Sequence, residues 1–428
     1  MIYEDYNKKI IKLNYFITFF IYYKMSRNIN CPLHGFVSLT PLMCSIVDTP
    51  EFKRLHNLRQ LGVTYTVYPS ANHTRFEHSL GVAHLAKVLI KSLQTHQPEL
   101  NISDKDVELV QIAGLVHDIG HGPFSHLYDD LFIGEGQQEH EARGITIFKK
   151  LVRDHNIGLT TDEVLMITNM IEPCGDLRYN FMYQIVANKI CSIDVDKIDY
   201  IQRDSYHIGF GLSEKYERLL TMCRVVNFEG NSVLAWPEKL QDEILSLFQT
   251  LYRLHRKVYT HHTVKAAEYI IEDILKEMLV NVDTKFEKLN DSMIEWPVSK
   301  KVIKLKEKLD KRNFPKMLGE KVLCYNGHTE EIRKFEEKLD NIVTLLDNSE
   351  IENKGWSKIK IGFISGNGEN PLKNVVYFNN SLQRPFRVEE YPSFIAPKSC
   401  QEYIYRIYLN DTYKLAFAKS LWNEVIKS

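Results

Sequence analysis

No two cysteines in this 428-residue chain are spaced as Cys-x-x-Cys; the seven are scattered, which favours reduced thiols over a disulfide framework. An excess of one charge is missing as well. Lys plus Arg number 54 against 55 Asp plus Glu, a net charge of −1, so no global basic field marks nucleic acid as the main partner, and only local basic patches are left for weak single-stranded binding. Long apolar runs are absent. The richest, IIKLNYFITFFIYYK near the N-terminus, holds about ten apolar residues where a membrane span needs roughly 20. It also lacks a small-residue cleavage site, so neither a membrane partner nor a secretory signal is expected. Met25 follows this run and is expected to be the working start, with residues 1–24 an upstream extension and 1–29 disordered. Internal repeats and low-complexity tracts are missing too. What remains, with 44% hydrophobic residues, is enough to bury a large core, read as one helical catalytic domain with a smaller lobe.

The densest chemistry lies in LVHDIGHGPFSH, from Leu115 to His126, which places His117, Asp118, His121 and His126 at one helix end. Ser103 followed by Asp106 reads as a capping-box start, and VELVQIAGLVHDIG continues at helical spacing. Val110, Gly114, His117 and His121 fall on one stripe, where the small Gly114 leaves room for another helix. Gly120, Gly122 and Pro123 read as stop signals, with His121 and His126 at or beyond the turn. A solvated last turn accounts comfortably for one histidine there, but poorly for three with an aspartate. The cluster therefore points to a metal site. A His-Asp pair gives only two ligands, and a bound metal ordinarily takes three or more from protein. In TRFEHSLGVAHLAKVLI, the residues Arg75, His78, Val82, Leu85 and Leu89 form a stripe with His78 at the start of an apolar face, the third candidate ligand. Alone, such a histidine is more often a satisfied core residue.

The second patch, SIDVDKIDYIQRD, carries four aspartates with no helix breaker. At about 100° per residue, Asp196, Lys197, Tyr200 and Asp204 share one face. Acid, amine and phenol together can ligate a metal, contact a phosphate and hydrogen-bond a sugar; an ordinary solvated helix with i,i+4 charge pairs stays open as the other reading.

Elsewhere, residues 30–280 read mostly as helices, with GVTYTVYPS as a strand or hairpin. The charged stretch 300–312 reads as a solvated helix. After it, KIKIGFISGNGENPLKNVVYF alternates like strands around a Gly-Asn turn, QEYIYRIYL reads as a further strand, and KLAFAKSLWNEVIKS as a closing helix. The fold class expected is mainly α, with a helical catalytic core over 30–280 and a mixed α/β lobe over 281–428.

These motifs resemble the HD-domain metal-dependent phosphohydrolases, whose H…HD…D pattern reads here as His78, His117 with Asp118, and Asp196. More narrowly, TRFEHSLGV, QIAGLVHDIGHGPFSH and IDVDKIDYIQRD are similar to the deoxynucleoside triphosphate triphosphohydrolases, above all those that join a SAM domain to the HD domain; no SAM domain is read here. The likeness runs from about Asn30 to the C-terminus and weakens after about Val280. It implies one divalent ion (iron, manganese, zinc or magnesium) on those four residues, with further magnesium on the nucleotides. The reaction implied is attack of a water-derived hydroxide on the α-phosphorus, giving a deoxynucleoside and intact triphosphate. His126 would protonate the leaving oxygen, oriented by Asp129, with His121 and His140 completing the cluster; on sequence alone His140 is an ordinary loop residue. Arg75 and Lys197 match phosphate contacts. Gln60, Asp204 and Tyr200 match contacts to the sugar, and Leu61 and Tyr259 a wall against a 2′-hydroxyl, although both types are ordinarily core.

The resemblance also implies activation by GTP or dGTP bound between subunits of a homo-oligomer, a tetramer built from dimers. Asp48 matches the guanine reader, and Val67, Arg218, Lys239, Arg312 and Lys316 match a second activator site. Here the sequence departs from the pattern. Lys53 and His56 replace a glutamine and an arginine, Cys31 replaces the aspartate opening a DPxHG motif, and Pro237 and Glu243 replace an arginine and an asparagine. Leu251 stands in for an arginine on the substrate phosphates, with Arg253 and Arg256 nearby. Weaker activator binding is expected. The family further implies depletion of dNTP pools, an antiviral role, and a place in the nucleus or cytoplasm. No import or export address is evident in the chain.

Overall fold

The computed structural model describes residues 26–132, 138–211, 216–279, 285–296, 299–324, 329–362, 371–379, 382, 384–388, 401–410 and 414–427. Of the N-terminal extension expected to be disordered over 1–29, residues 1–25 lie outside the described residues, as does the Gly-Asn turn within 363–370, whereas residues 27–29 are not disordered but paired in a strand.

The chain opens with a hairpin of β1 (Arg27–Cys31) and β2 (Gly35–Leu39), turned by Gly35 at a φ of 69°. Helix α1 (Pro41–Val47) follows, then two long antiparallel partners, α2 (Arg75–His96) and α3 (Asp104–Val116). Ser103 and Asp106 form the expected capping box at the start of α3. Gly114 permits the close approach: a Cβ there would lie 3.2 Å from the Val82 backbone of α2. Helix α3 stops at Val116 with His117 as its C-cap. His121 is therefore not on the helical stripe; it sits in the turn that follows, its N–H donating to the Asp118 carbonyl.

Three more helices, α4 (His126–Phe132), α5 (His140–Asp154) and α6 (Thr161–Ile171), lead to α7 (Val195–Ile208), N-capped by Asp194 and ended by Gly209 at a φ of 71°. Helices α8 (Gln241–Leu254) and α9 (His262–Leu279) complete the core, joined through a π-helical turn at His255–Tyr259. One continuous apolar core runs through α2, α3, α7 and α8, including Val82, Ile112, Ile198 and Phe248.

The segment GVTYTVYPS is not a strand. Residues Gly62–Thr66 form a 3-10 turn, with Gly62 at a φ of 50°, where Val63 is buried with Phe124, Ala267 and Ile271. Burial against α9 overrides the β-propensity of Val and Tyr, a preference that is weak without a partner strand. Two strands inside the helical stretch were not anticipated, β3 (Arg224–Phe228) and β4 (Asn231–Pro237), turned by Glu229 and Gly230 at φ of 55° and 81°.

Beyond them, α10 (Lys300–Asp310) is the expected charged helix. A three-stranded antiparallel sheet, β5 (Lys316–Cys324), β9 (Gln401–Leu409) and β6 (Asn353–Gly362) with β9 central, is covered by α11 (Thr329–Asn348) and the closing α12 (Leu415–Lys427). The two strands read around the Gly-Asn turn do form, but they do not pair. While β6 joins β9, β7 (Val376–Phe378) runs parallel to β4 and carries β8 (Phe386–Arg387) at its edge. The C-terminal stretch thus shares a sheet with the helical one.

Candidate metal centre and its surroundings

The first turn of α2, the C-cap of α3 and the first turn of α7 converge, bringing His78, His117, Asp118 and Asp196 together. His78 Nε2 lies 3.0 Å from Asp196 Oδ1 and 3.6 Å from Asp118 Oδ2; His117 Nε2 lies 3.3 Å from Asp196 Oδ1 and 3.4 Å from Asp118 Oδ1. The tautomers are set from behind. His117 Nδ1 donates to the Gly114 carbonyl at 2.8 Å, and His78 Nδ1 to Asp199 at 2.8 Å, which turns both Nε2 atoms inward. His117 Nε2 is buried and has no hydrogen-bond partner of proper geometry among the described residues. A buried, unpartnered imidazole nitrogen facing two carboxylates is what two-His, two-Asp ligation of a divalent ion requires, and this donor set suits iron, manganese or zinc.

Electrostatics agree. Burial opposes charge on His78, but Asp196, Asp199 and Asp118 outweigh it and push its pKa up to about 10. His117 is raised in the same way by Asp118 and Asp196. Burial opposes the charged form of Asp196 as well, yet His117 and His78 hold its carboxyl far below the usual range. Carboxylates that draw protons this strongly onto imidazoles would draw a dication instead.

Beside it lies a second cluster: ligand atoms of His121, His126, Asp129 and His140 fall within 4.8 Å of one another. His121 stacks on His140 at 3.9 Å between ring centres, and His126 stands edge-on to His121 at 5.0 Å. His140, at the first position of α5, is no loop residue; its Nδ1 lies 2.7 Å from Asp129. The other Asp129 oxygen accepts from Arg143 at 2.5 Å. His121 reaches Asp118 at 3.2 Å, so Asp118 joins the two clusters. Burial, with Arg75 and His140 nearby, drives His121 well below its ordinary pKa and His126 down to about 3, although the His126 side chain keeps solvent-accessible surface at the rim. Arg75 is buried, donating to Asp118 at 2.5 Å and to Ser125 Oγ at 2.8 Å.

A third group gathers around Asp204. Its carboxylate lies 2.7 Å from His73 Nε2 and accepts from the Tyr259 hydroxyl at 2.5 Å. The π-helical turn delivers Tyr259 there, and such turns concentrate at functional sites. Gln60, on the chain beside His73, keeps a buried Oε1 with no hydrogen-bond partner among the described residues. Tyr200 and Leu61 pack against the core at the same end, and Tyr200 lies 6.4 Å from the His78 ring. Lys197 is buried with Nζ 3.6 Å from Asp194. With His117, Asp118, His140 and Asp196 it lines a cavity of about 600 Å³, which Arg178 and Asn188 also enter. The sequence reading missed His73, Asp199 and Arg54. The guanidinium of Arg54 donates to the carbonyls of Ile119, His121 and Leu289 and clamps the loop after α3.

The residues matched to activator sites are spread out. Asp48 pairs with Arg27 and lies 3.7 Å from Lys53, while His56 stacks on Phe76 at 3.5 Å. Val67 follows Thr66, whose carbonyl accepts from Arg312 at 2.5 Å, and Lys316 opens β5 as an exposed residue. Arg218 is paired with Glu243. Lys239 lines a separate cavity of about 460 Å³. Leu251 is core, and Arg256 is engaged by Glu402 at 3.3 Å.

This arrangement defines a class. Residues 75–204, which span His78 to Asp204, match the HD domain family. Among known proteins, the chain is 37% identical over 281 residues to the deoxynucleoside triphosphate triphosphohydrolase SAMHD1 of Danio rerio, covering 59% of this chain and 44% of that protein. It is 39% identical over 271 residues to the human SAMHD1, covering 57% and 43%. A SAMHD1 homolog of Dictyostelium discoideum is 30% identical over 432 residues, covering 95% of this chain and 81% of that protein. The chain therefore belongs to the SAMHD1-type family of HD-domain proteins. It spans under half the length of the animal relatives it matches.

Proposed function

We propose that the chain hydrolyses deoxynucleoside triphosphates to deoxynucleoside and inorganic triphosphate. The observation that carries this reading is the unpartnered Nε2 of His117 facing Asp118, Asp196 and His78, with the polar group of Gln60, Asp204 and Tyr259 at the other end of α7. A divalent ion held by His78, His117, Asp118 and Asp196 would supply a water of lowered pKa and polarise the α-phosphoryl group. The chain's own residues do the rest. Lys197 supplies positive charge for the triphosphate, and Arg75, held in place by Asp118 and Ser125, supplies a second, guanidinium contact to it. Asp204, held by His73 and Tyr259, accepts a hydrogen bond from the 3′-hydroxyl, and the buried Gln60 takes a second one. Tyr259 occupies the space a 2′-hydroxyl would need. His126 serves the leaving 5′ oxygen, and Asp129 acts on the cluster through His140 and Arg143. Activation by GTP or dGTP in a homo-oligomer, at Asp48 and at Val67, Arg218, Lys239, Arg312 and Lys316, belongs to the same proposal. No helix of the described residues is long and apolar enough to cross a membrane.

The test is incubation of the purified chain with manganese and each dNTP, with and without GTP, with products separated by ion-pair chromatography. Deoxynucleoside plus triphosphate is the expected outcome. Release of pyrophosphate, or cleavage only of a monoester or cyclic ester, would move the assignment to another phosphohydrolase of the HD class.

A further inference from the structure

The hairpin β1–β2 carries the CPLHG turn, whose histidine has no part in the chemistry above, and α7 carries a third aspartate, Asp199, off the face that holds Asp196 and Asp204. The two meet. His34 Nε2 lies 2.7 Å from Asp199 Oδ1, although 165 residues separate them. Asp199 is fully buried, and each oxygen is used twice. Oδ2 accepts from His78 Nδ1 at 2.8 Å and Arg203 Nε at 2.8 Å; Oδ1 accepts from His34 and from Arg203 Nη2 at 2.9 Å. Arg203 has few other partners: Nη2 also reaches Cys31 Sγ at 3.6 Å, and Nη1 has none among the described residues. The α2 glycine one turn after His78 exists for this carboxylate. A Cβ on Gly81 would fall 2.0 Å from Asp199 Oδ1. On its outer side, His34 stacks on His84 at 5.3 Å, and both rings line a cavity of about 750 Å³ on the far side of α7.

We propose that Asp199 and His34 are positioning residues for the metal ligand His78: Asp199 holds Nδ1–H and presents Nε2 to the ion, and His34 holds Asp199 in that geometry. The proposal rests on the metal-site reading above. Four donors around one carboxylate fix its plane, so the imidazole it accepts from cannot rotate away. A carboxylate behind a ligating imidazole also raises the basicity of the nitrogen facing the ion, and losing such a partner typically weakens metal affinity by about 10- to 100-fold.

The test is Mn²⁺ binding alone, by isothermal titration of the whole chain stripped with chelator, with melting temperature measured in parallel. His78→Ala is the reference variant. Asp199→Asn is expected to weaken Mn²⁺ by about 10- to 100-fold. His34→Ala is expected to weaken it several-fold, His34→Gln, which keeps an N–H for Asp199, to recover most of that loss, and the His34→Ala effect to vanish in the Asp199→Asn background. Wild-type affinity in His34→Ala and Asp199→Asn, with His78→Ala impaired, overturns the positioning roles and leaves the metal site standing. Equal binding by wild type and His78→Ala overturns the metal site itself. If Asp199→Asn does not fold, the comparison of His34→Ala with His34→Gln decides: equal affinities overturn the proposal.

Discussion

Two histidine clusters share Asp118, and their chemistry is opposite. Around His78 and His117 stand three carboxylates, Asp118, Asp196 and Asp199, and the imidazoles are driven toward the charged form, His78 up to about 10. Around His121, His126 and His140 the carboxylates are already engaged by guanidinium groups: Asp129 is shared with Arg143, and Asp118, which reaches His121, is shared with Arg75. There His126 is driven down to about 3. The residue type is the same; the count of neighbouring charges decides. A cluster with surplus negative charge suits a cation. A cluster in which His121 and His126 are pushed toward the neutral form, backed by the guanidinium groups of Arg75 and Arg143, suits phosphate oxygens and a leaving group. The negative charge of a bound triphosphate would favour the protonated form of His126, so substrate and acid would be coupled.

Removing a carboxylate from the first cluster should have the largest effect. Asp196→Ala is expected to lower dNTP turnover by about 10³-fold or more, since the ion and its several kcal/mol of transition-state stabilisation go with it; turnover within tenfold of wild type would mean that the first cluster is not the reaction centre. His126→Gln is expected to cost about 10²- to 10⁴-fold in kcat with little change in KM, the signature of lost proton transfer, read from steady-state kinetics.

Asp291 sharpens the comparison from the structural side, for it is a buried carboxylate with no histidine to charge. It accepts the backbone N–H of Arg59 at 2.9 Å and of Phe124 at 2.7 Å, tying the Gln60 loop to the segment before His126. Burial raises its pKa to about 6 against those hydrogen bonds. A carboxyl with a folded pKa above its unfolded one favours the fold most when protonated, so its contribution falls as pH rises from about 4 to about 6 and is level above that. Urea unfolding of wild type and Asp291→Asn should therefore show wild type losing ground by up to about 3 kcal/mol between pH 4 and pH 7; a constant gap would contradict the raised pKa. The smallest effect belongs to the activator region, where Glu243 occupies Arg218. Glu243→Asn should free that guanidinium and lower the GTP concentration for half-activation by about 3- to 10-fold; an unchanged value would remove Arg218 from the activator site.

The contiguous part of the site was legible in sequence, because helical period places residues four apart on one face. His117 with Asp118, and Asp196 with Lys197 and Tyr200, are of this kind, as are the capping box at Ser103 and the strand at QEYIYRIYL. What could not be read are the partners that approach from another element. Asp199 looks like a spare charge on α7 until the hairpin brings His34 to it, and His73 and Asp291 carry no local pattern that marks them. The turn at Gly62 was misread because its Val and Tyr are strand formers in isolation and are buried by α9 instead. The β3–β4 hairpin, by contrast, had a signal: Glu-Gly between two valine-containing apolar stretches, with both turn residues at positive φ.

The most direct test of the contrast between the clusters is metal stoichiometry. Both groups place ligand atoms within 4.8 Å, so distance alone does not separate them; charge does. Plasma mass spectrometry of the chain purified from metal-supplemented cells should find about one transition-metal ion per chain, lost in Asp196→Ala and retained in His126→Gln and His140→Gln. Two ions per chain, or loss of the ion on substituting His126 or His140, would show that the second cluster is itself a metal site and would contradict the account.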